Sequence, residues 1–151
     1  MKKILLITII LLNFLNNAFS KEIAYMSLKP NKVNLRSGPN KDFSILYTYK
    51  LRFMPVKIVG EYDNWFKIID KDGDSGWISE QLLSKARTII TLNDIQLLYS
   101  NYNKEAYPMY RVEKNVIAKL LKCKENRCKV KIKKIKGWFD KNTIWGYDES
   151  Y

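Results

Sequence analysis

From Val33 onward the chain alternates apolar and polar residues in short runs. Val33 and Leu35 share one side of an extended segment with Asn34 and Arg36 on the other, and Val56 with Ile58, then Phe66 with Ile68, repeat the pattern. A period of two in runs rich in Val, Ile, Phe, Tyr and Trp predicts strands. The runs are separated by turn chemistry at Ser37-Gly38-Pro39-Asn40, Gly60-Glu61-Tyr62-Asp63-Asn64 and Asp72-Gly73. Gly38 and Pro39 set a turn after the first run, and nothing in these runs shows the long 3.6-residue period of a helix. About five such strands bury little as an open sheet, so the expected fold class is all-β, built as a small closed barrel.

The pattern is written twice. Gly76-Trp77-Ile78-Ser79-Glu80-Gln81-Leu82-Leu83 aligns with Gly137-Trp138-Phe139-Asp140-Lys141-Asn142-Thr143-Ile144, and Trp65-Phe66-Lys67-Ile68 aligns with Arg127-Cys128-Lys129-Val130. Pro55-Val56-Lys57-Ile58-Val59 is matched to Val116-Ile117-Ala118-Lys119-Leu120, and Val33-Asn34-Leu35-Arg36 to Ile95-Gln96-Leu97-Leu98. Two tandem barrels follow, over residues 27–85 and 88–147, with the boundary near Ser84 to Thr88. Ahead of them, Met1 to Ser20 carries two lysines, an apolar run from Ile4 to Leu15 and a small-residue end at Ala18-Phe19-Ser20. This is the layout of a secretory signal peptide over residues 1–20, too short in its apolar run to span a bilayer as a stable anchor. The expected protein is therefore exported, periplasmic or secreted, with no transmembrane span once the signal is cleaved.

Composition narrows the chemistry. The 151 residues include no histidine, which excludes imidazole as base, proton shuttle or zinc ligand and so removes Ser-His-Asp and Cys-His catalysis. The expectation is a protein that is not an enzyme, with no cofactor and no metal. Asp70-Lys71-Asp72-Gly73-Asp74 imitates the start of a calcium loop, but the sixth position is Ser75 and the twelfth is Gln81, where Gly and a bidentate Glu are needed. A turn at Asp72-Gly73 accounts for the same residues. The two cysteines, Cys123 and Cys128, enclose Lys-Glu-Asn-Arg between two strand-like runs. In an exported chain that spacing predicts a disulfide stapling a hairpin, and two thiolates alone cannot close a zinc site.

The Val33-Asn34-Leu35-Arg36-Ser37-Gly38-Pro39 run, Trp65-Phe66-Lys67-Ile68 and Gly76-Trp77-Ile78 with its terminal Leu82-Leu83 together resemble the bacterial SH3-like (SH3b) family. The second copy, with its Cys-loop-Cys hairpin before Gly137-Trp138 and its closing Ile144-Trp145-Gly146, is similar to the second half of a two-copy branch of that family found in exported proteins. The resemblance implies tandem SH3-like barrels, and as partners cell-wall peptides, peptidoglycan or another envelope protein.

Trp65 falls on the opposite parity from Phe66 and Ile68, so a large aromatic lies outside the barrel and needs cover from the second copy or from a ligand. Tyr47, Tyr49 and Tyr62 join Trp65, Asn34 and Arg36 as the candidate ligand groove, since aromatic faces with amides suit sugars, peptide stems or proline-rich segments. Gly76-Trp77 and Gly137-Trp138 are expected to serve the barrel core.

The net charge of +12 is uneven. Lys21 to Ala86 has 11 basic and 8 acidic residues, a net of +3, whereas Arg87 to Tyr151 has 14 and 7, a net of +7. Lys122, Lys124, Arg127, Lys129, Lys131 and Lys133 form the basic surface, with Lys129, Lys131 and Lys133 alternating outward along one strand. Such lysines protect a strand edge, reflect a chain rich in Lys, Ile and Asn, or attract an anionic envelope surface. Nucleic acid is not expected, because no recognition motif accompanies the charge. The expected function is an exported, non-enzymatic binding or scaffold module of the cell envelope that recognises cell-wall peptides or peptidoglycan. The alternatives are an adaptor binding a partner's extended peptide, or an accessory targeting subunit of a separately encoded cell-wall hydrolase.

Overall fold

The computed structural model describes residues 25–148, so the expected signal peptide lies outside the described residues. These residues form fourteen strands in two sheets. The first holds β1 (Tyr25–Leu28), β2 (Val33–Arg36), β3 (Ile45–Tyr49), β4 (Pro55–Tyr62), β5 (Trp65–Ile69), β6 (Ser75–Ser79) and β7 (Leu83–Ser84). The second holds β8 (Thr88–Thr91), β9 (Ile95–Tyr99), β10 (Pro108–Glu113), β11 (Ile117–Lys124), β12 (Arg127–Ile132), β13 (Ile135–Asp140) and β14 (Ile144–Trp145). Their spatial orders, β3-β2-β6-β5-β4-β1-β7 and β10-β9-β13-β12-β11-β8-β14, are the same order twice. The fold is all-β, two tandem SH3-like units, with seven strands in each where the sequence pattern suggested about five. The additional pieces are as short as the two residues of β7 and β14, below the length at which alternation is visible.

Each sheet wraps around its own core. Leu28, Val33, Leu35, Tyr49, Val56, Ile58, Ile68, Ile78 and Leu83 come from all seven strands of the first sheet yet form one buried cluster. Seven strands laid flat would span about 29 Å, so a single shared cluster requires the sheet to curl. The inward parity expected of Val33, Leu35, Val56, Ile58 and Ile68 is the observed one. Gly76 is where β6 crosses β2: a Cβ there would lie 2.7 Å from both Leu35 Cγ and the Arg36 carbonyl oxygen. Gly137 on β13 lies against Leu98 in the same way, with a Cβ 2.5 Å from Leu98 Cγ. In both copies the side chain of β2 or β9 fills the space that a glycine leaves open.

That equivalence corrects the sequence alignment by one residue. Leu35 corresponds to Leu98 and Val33 to Gln96; likewise β1–β4 and β8–β11 register sets Val56 opposite Met26 and Ala118 opposite Ile89, so Val56 corresponds to Ala118. The apolar pattern was misleading because Gln96 is buried at a core-facing position while Ile95 is 59% exposed. The Gln96 amide is satisfied there: Nε2 donates to the carbonyls of Val112 (2.7 Å) and Glu113 (2.9 Å), and Oε1 accepts from the Asn93 N–H.

The two units meet along β8, all four residues of which are buried. Ile89 belongs to the second core, while Ile90 enters the first together with Ile117 and Trp145. Tyr25 and Trp145 pack edge to face at 5.0 Å, and the Ser27 and Thr88 hydroxyls lie 2.7 Å apart, with the Thr88 hydroxyl also 2.7 Å from the Phe53 carbonyl. Arg87, in the link between the sheets, pairs with Asp148 at 2.9 Å.

Cys123 and Cys128 face each other across β11 and β12 and are joined as a disulfide. The turn they close has Glu125 in the left-handed region, and the first copy uses Asp63 in the same way between β4 and β5. Asp70 is buried in the turn before β6, where Oδ1 accepts from the N–H groups of Asp72 (2.9 Å) and Asp74 (3.0 Å) and Oδ2 accepts from the Tyr49 hydroxyl (2.9 Å). The acidic turn is thus organised by its own backbone and by Tyr49.

Two outcomes follow from this packing. Ile90→Ala should cost about 2–5 kcal/mol in denaturant unfolding, as for a core residue of one continuous domain, although Ile90 belongs in sequence to the second copy; a change within about 0.5 kcal/mol would show that the units do not share this side chain. Burial and the Asp70 hydrogen bond raise the Tyr49 pKa above its ordinary value of 10.0. The unfolded chain then loses this proton first, so the stability Tyr49 supplies is intact below pH 10 and declines as pH rises beyond it. Tyr49→Phe should cost about 1–3 kcal/mol at neutral pH by leaving Asp70 short of a donor. It should also unfold with a shallower loss of stability above pH 10 than the parent, measured by denaturant titration at a series of pH values.

Candidate functional site

Trp65 opens β5 directly after the Asp63-Asn64 turn and takes the outward parity, opposite Tyr62 on β4 and Ser79 on β6. It is half-buried, between two adjoining clefts of about 700 Å³ and about 350 Å³ that share Lys41, Trp65, Ser79 and Gln81. Asn64, Glu80, Lys29 and Lys85 extend the first cleft, and Lys32, Asn34 and Arg36 the second. The loops after β1 and β2 and the short turn after β6 converge here. All of these residues belong to the first copy, so the second copy does not cover Trp65. Five cations, Lys29, Lys32, Arg36, Lys41 and Lys85, surround the indole against one carboxylate, Glu80. Asn34 Oδ1 accepts from the Thr48 hydroxyl (2.9 Å), and Arg36 donates to the Phe43 carbonyl (2.7 Å), which fixes both side chains at the cleft edge.

The six candidate groove residues separate into groups. Asn34, Arg36 and Trp65 share the cleft. Tyr47 is 55% exposed on β3 and lines a different hollow of about 420 Å³ beside Asp70, Asp72 and Asp74; Tyr49 packs edge to face with it at 5.0 Å but is a core residue. Tyr62 is 64% exposed and lines neither cleft at Trp65. The sequence reading grouped the tyrosines with Trp65 by aromatic character and nearness to a turn; β2 and β6 separate β3 from β5 and so set Tyr47 and Tyr49 apart, whereas Tyr62 is the cross-strand neighbour of Trp65 on β4. It passed over Lys41, Ser79 and Gln81. Parity counted outward from Gly76 would have found Ser79, while Lys41 arrives on a loop and Gln81 on the single 3-10 turn Glu80–Leu82, neither with a periodic signal.

The second copy closes the corresponding position. Arg127 stands at the place of Trp65; its Nε donates to Asp140 (2.7 Å) and its Nη1 to the carbonyl of Asn101 (3.1 Å), and the guanidinium lies over the Tyr99 ring at 3.7 Å. The loop after β9 is strapped down by these contacts, and Tyr102 packs on Trp138 at 5.2 Å. A cleft of about 350 Å³ remains at Asn126, Asp140, Lys141 and Asn142, without an aromatic.

The basic residues lie mainly on the outer face of β11, β12 and β13. Lys119 faces Lys131, Lys122 faces Lys129, and Lys124 faces Arg127 across the β11–β12 ladder, with Lys136 beside Lys131 on β13. Lys122 and Lys129 reach over Trp138, and Lys124 over Tyr102, to whose hydroxyl it donates; that bond raises the Lys124 pKa. Two expectations change here. Lys133 is in the β12–β13 turn, with φ 52°, and is not part of the strand row. Both β11 and β12 are interior strands, so the lysines do not protect a sheet edge.

Residues 29–85 match the bacterial SH3 domain family, a span that covers the first copy only. Among solved structures the chain is similar to NlpC1 from Trichomonas vaginalis, with 14% identity and a TM-score of 0.38 over 87% of this chain and 48% of that one. It is also similar to NlpC2 from the same organism, with 15% identity and a TM-score of 0.39 over 85% and 49%. The chain spans about half the length of these two proteins. No curated protein matches it. The matched span, residues 29–85, holds β2 to β7 and every residue lining the two clefts at Trp65 except Met26, so the site lies within the segment that is similar to the bacterial SH3 domain family.

Proposed function

We propose that this protein is an exported, non-enzymatic binding module of the bacterial cell envelope whose first copy takes cell-wall peptides at Trp65. The observation that carries the reading is a half-buried indole set between two clefts and ringed by five cations and several amides. An aromatic face receives the apolar stem of a peptide, the amides of Asn34, Asn64 and Gln81 bond its backbone, and the cations meet its carboxylates. The bacterial SH3 family supports a cell-wall ligand, and the Cys123–Cys128 disulfide supports a compartment outside the cytoplasm. A chain without histidine suits binding without turnover. The second copy, its matching position filled by Arg127, holds the first in place and does not duplicate its site.

A second reading rests on β3, the terminal strand of the first sheet, which exposes Ile45, Leu46 and Tyr47. An open edge of this kind accepts an extended segment from a partner protein.

Cosedimentation with purified peptidoglycan tests the first reading. Trp65→Ala should weaken binding roughly tenfold or more, as for an aromatic anchor, with little change in thermal unfolding because the indole is not part of the core. Unchanged binding would remove the cleft as the site. Crosslinking in intact cells that captures a protein through Tyr47, with no retention on peptidoglycan, would favour the adaptor reading. Release of soluble wall fragments by the purified protein would overturn the non-enzymatic reading.

A further inference from the structure

The two copies supply an internal comparison for the basic face. On the outer sides of β4, β5 and β6, the nine positions at Lys57/Ile69/Ser75, Gly60/Lys67/Trp77 and Tyr62/Trp65/Ser79 carry two cations. The nine equivalent positions on β11, β12 and β13 carry seven: the three opposed pairs and Lys136, leaving only Trp138 and Asp140 uncharged or acidic. The same sheet is therefore built without these lysines in the first copy, and the fold does not require them. Like charges directly opposite each other on a ladder destabilise it. Among the described residues the one carboxylate at these nine positions, Asp140, is already bound to Arg127. Edge protection does not explain the lysines either, since the strands are interior.

From this arrangement we infer that the outer face of β11, β12 and β13 is a docking surface for an anionic lipid bilayer, separate from the cleft at Trp65. Three adjacent strands give a grid about 10 Å wide, and the five-residue interval from Lys119 to Lys124 makes it roughly 16 Å long. A grid charged in two dimensions matches a laterally extended surface of headgroups, whereas one linear anionic polymer could follow only a single row. Trp138 is 4% exposed beneath the lysine stems, so the face offers charge without an apolar wedge to insert. Docking is peripheral and governed by salt.

The test is cosedimentation of the chain from Lys21 onward, which contains every described residue, with phosphatidylcholine vesicles with and without phosphatidylglycerol. Binding should require phosphatidylglycerol and fall steeply with added salt. The triple variant Lys122→Gln, Lys131→Gln, Lys136→Gln should bind on the order of a hundredfold more weakly, about fivefold for each lysine removed. It should unfold at the same temperature as the parent or higher, because opposed charges have been removed; that measurement separates lost docking from lost fold. Lys57→Gln with Lys67→Gln, on the matching face of the first copy, should leave vesicle binding unchanged, as should Trp65→Ala. Equal binding to neutral vesicles, or an undiminished triple variant, would overturn the proposal. So would salt-sensitive binding through these lysines to purified cell wall and not to vesicles, which would assign the face to a wall polymer.

Discussion

Four residues hold the molecule together. Thr88-Ile89-Ile90-Thr91 is a strand with no solvent face, and its alternation sends Ile89 into one core and Ile90 into the other. In most two-unit chains a short linker leaves the units free to move against each other. Here the first strand of the second sheet completes the first core, with Ile117 and Trp145 beside it and Tyr25 packed on Trp145. Separation would expose Ile90 and break the hydroxyl contacts of Ser27 and Thr88. The cleft at Trp65 and the lysine face are consequently carried by one continuous packing arrangement.

Because each copy has the same strand order, features common to both belong to the fold and features found in one belong to its use. The glycine over leucine at the sheet crossing, the left-handed residue before β4 and β11 (Phe53 and Asn115) and the bulge after Ile58 and Leu120 are common. Trp65 against Arg127, Ser79 against Asp140, and two cations against seven are not. One Arg–Asp pair replaces the outward indole and leaves a smaller cleft without an aromatic, and the sheet beneath it is unaltered.

The strands, the duplication and the stapled hairpin were legible because each rests on local chemistry: period-two alternation, a recurring Gly-Trp, and cysteines at hairpin spacing. The exact register was not, since Gln96 occupies a core position through three hydrogen bonds that depend on β10 and the turn before β9. Trp65 could be placed outside by parity alone. Asn34 and Arg36 could be placed beside it, but Lys41 comes from a loop and Gln81 from the single 3-10 turn Glu80–Leu82, and Tyr49 meets Asp70 only when β3 and the turn before β6 are brought together. Whether a lysine strand is an edge or an interior strand is a property of topology, which alternation along one strand does not contain.

The bulge in β11 connects the staple to the charge. Strict alternation from Ala118 and Leu120 would turn Lys122 and Lys124 inward and Cys123 outward. The extra residue at Leu121 reverses this, so the lysines face out and Cys123 turns toward Cys128, which is fully buried. In the first copy the cysteine positions are Glu61 and Phe66, beside a face with few cations. Each opposed lysine pair costs the second ladder about 0.2–1 kcal/mol. The disulfide, closing a loop of this size, contributes about 2 kcal/mol on the chain-entropy estimate. The two quantities are comparable, and the crosslink is placed beside the pairs Lys122–Lys129 and Lys124–Arg127, where repulsion would otherwise fray the hairpin. The staple thus lies in the copy whose outer face carries seven cations and is absent from the copy whose matching face carries two.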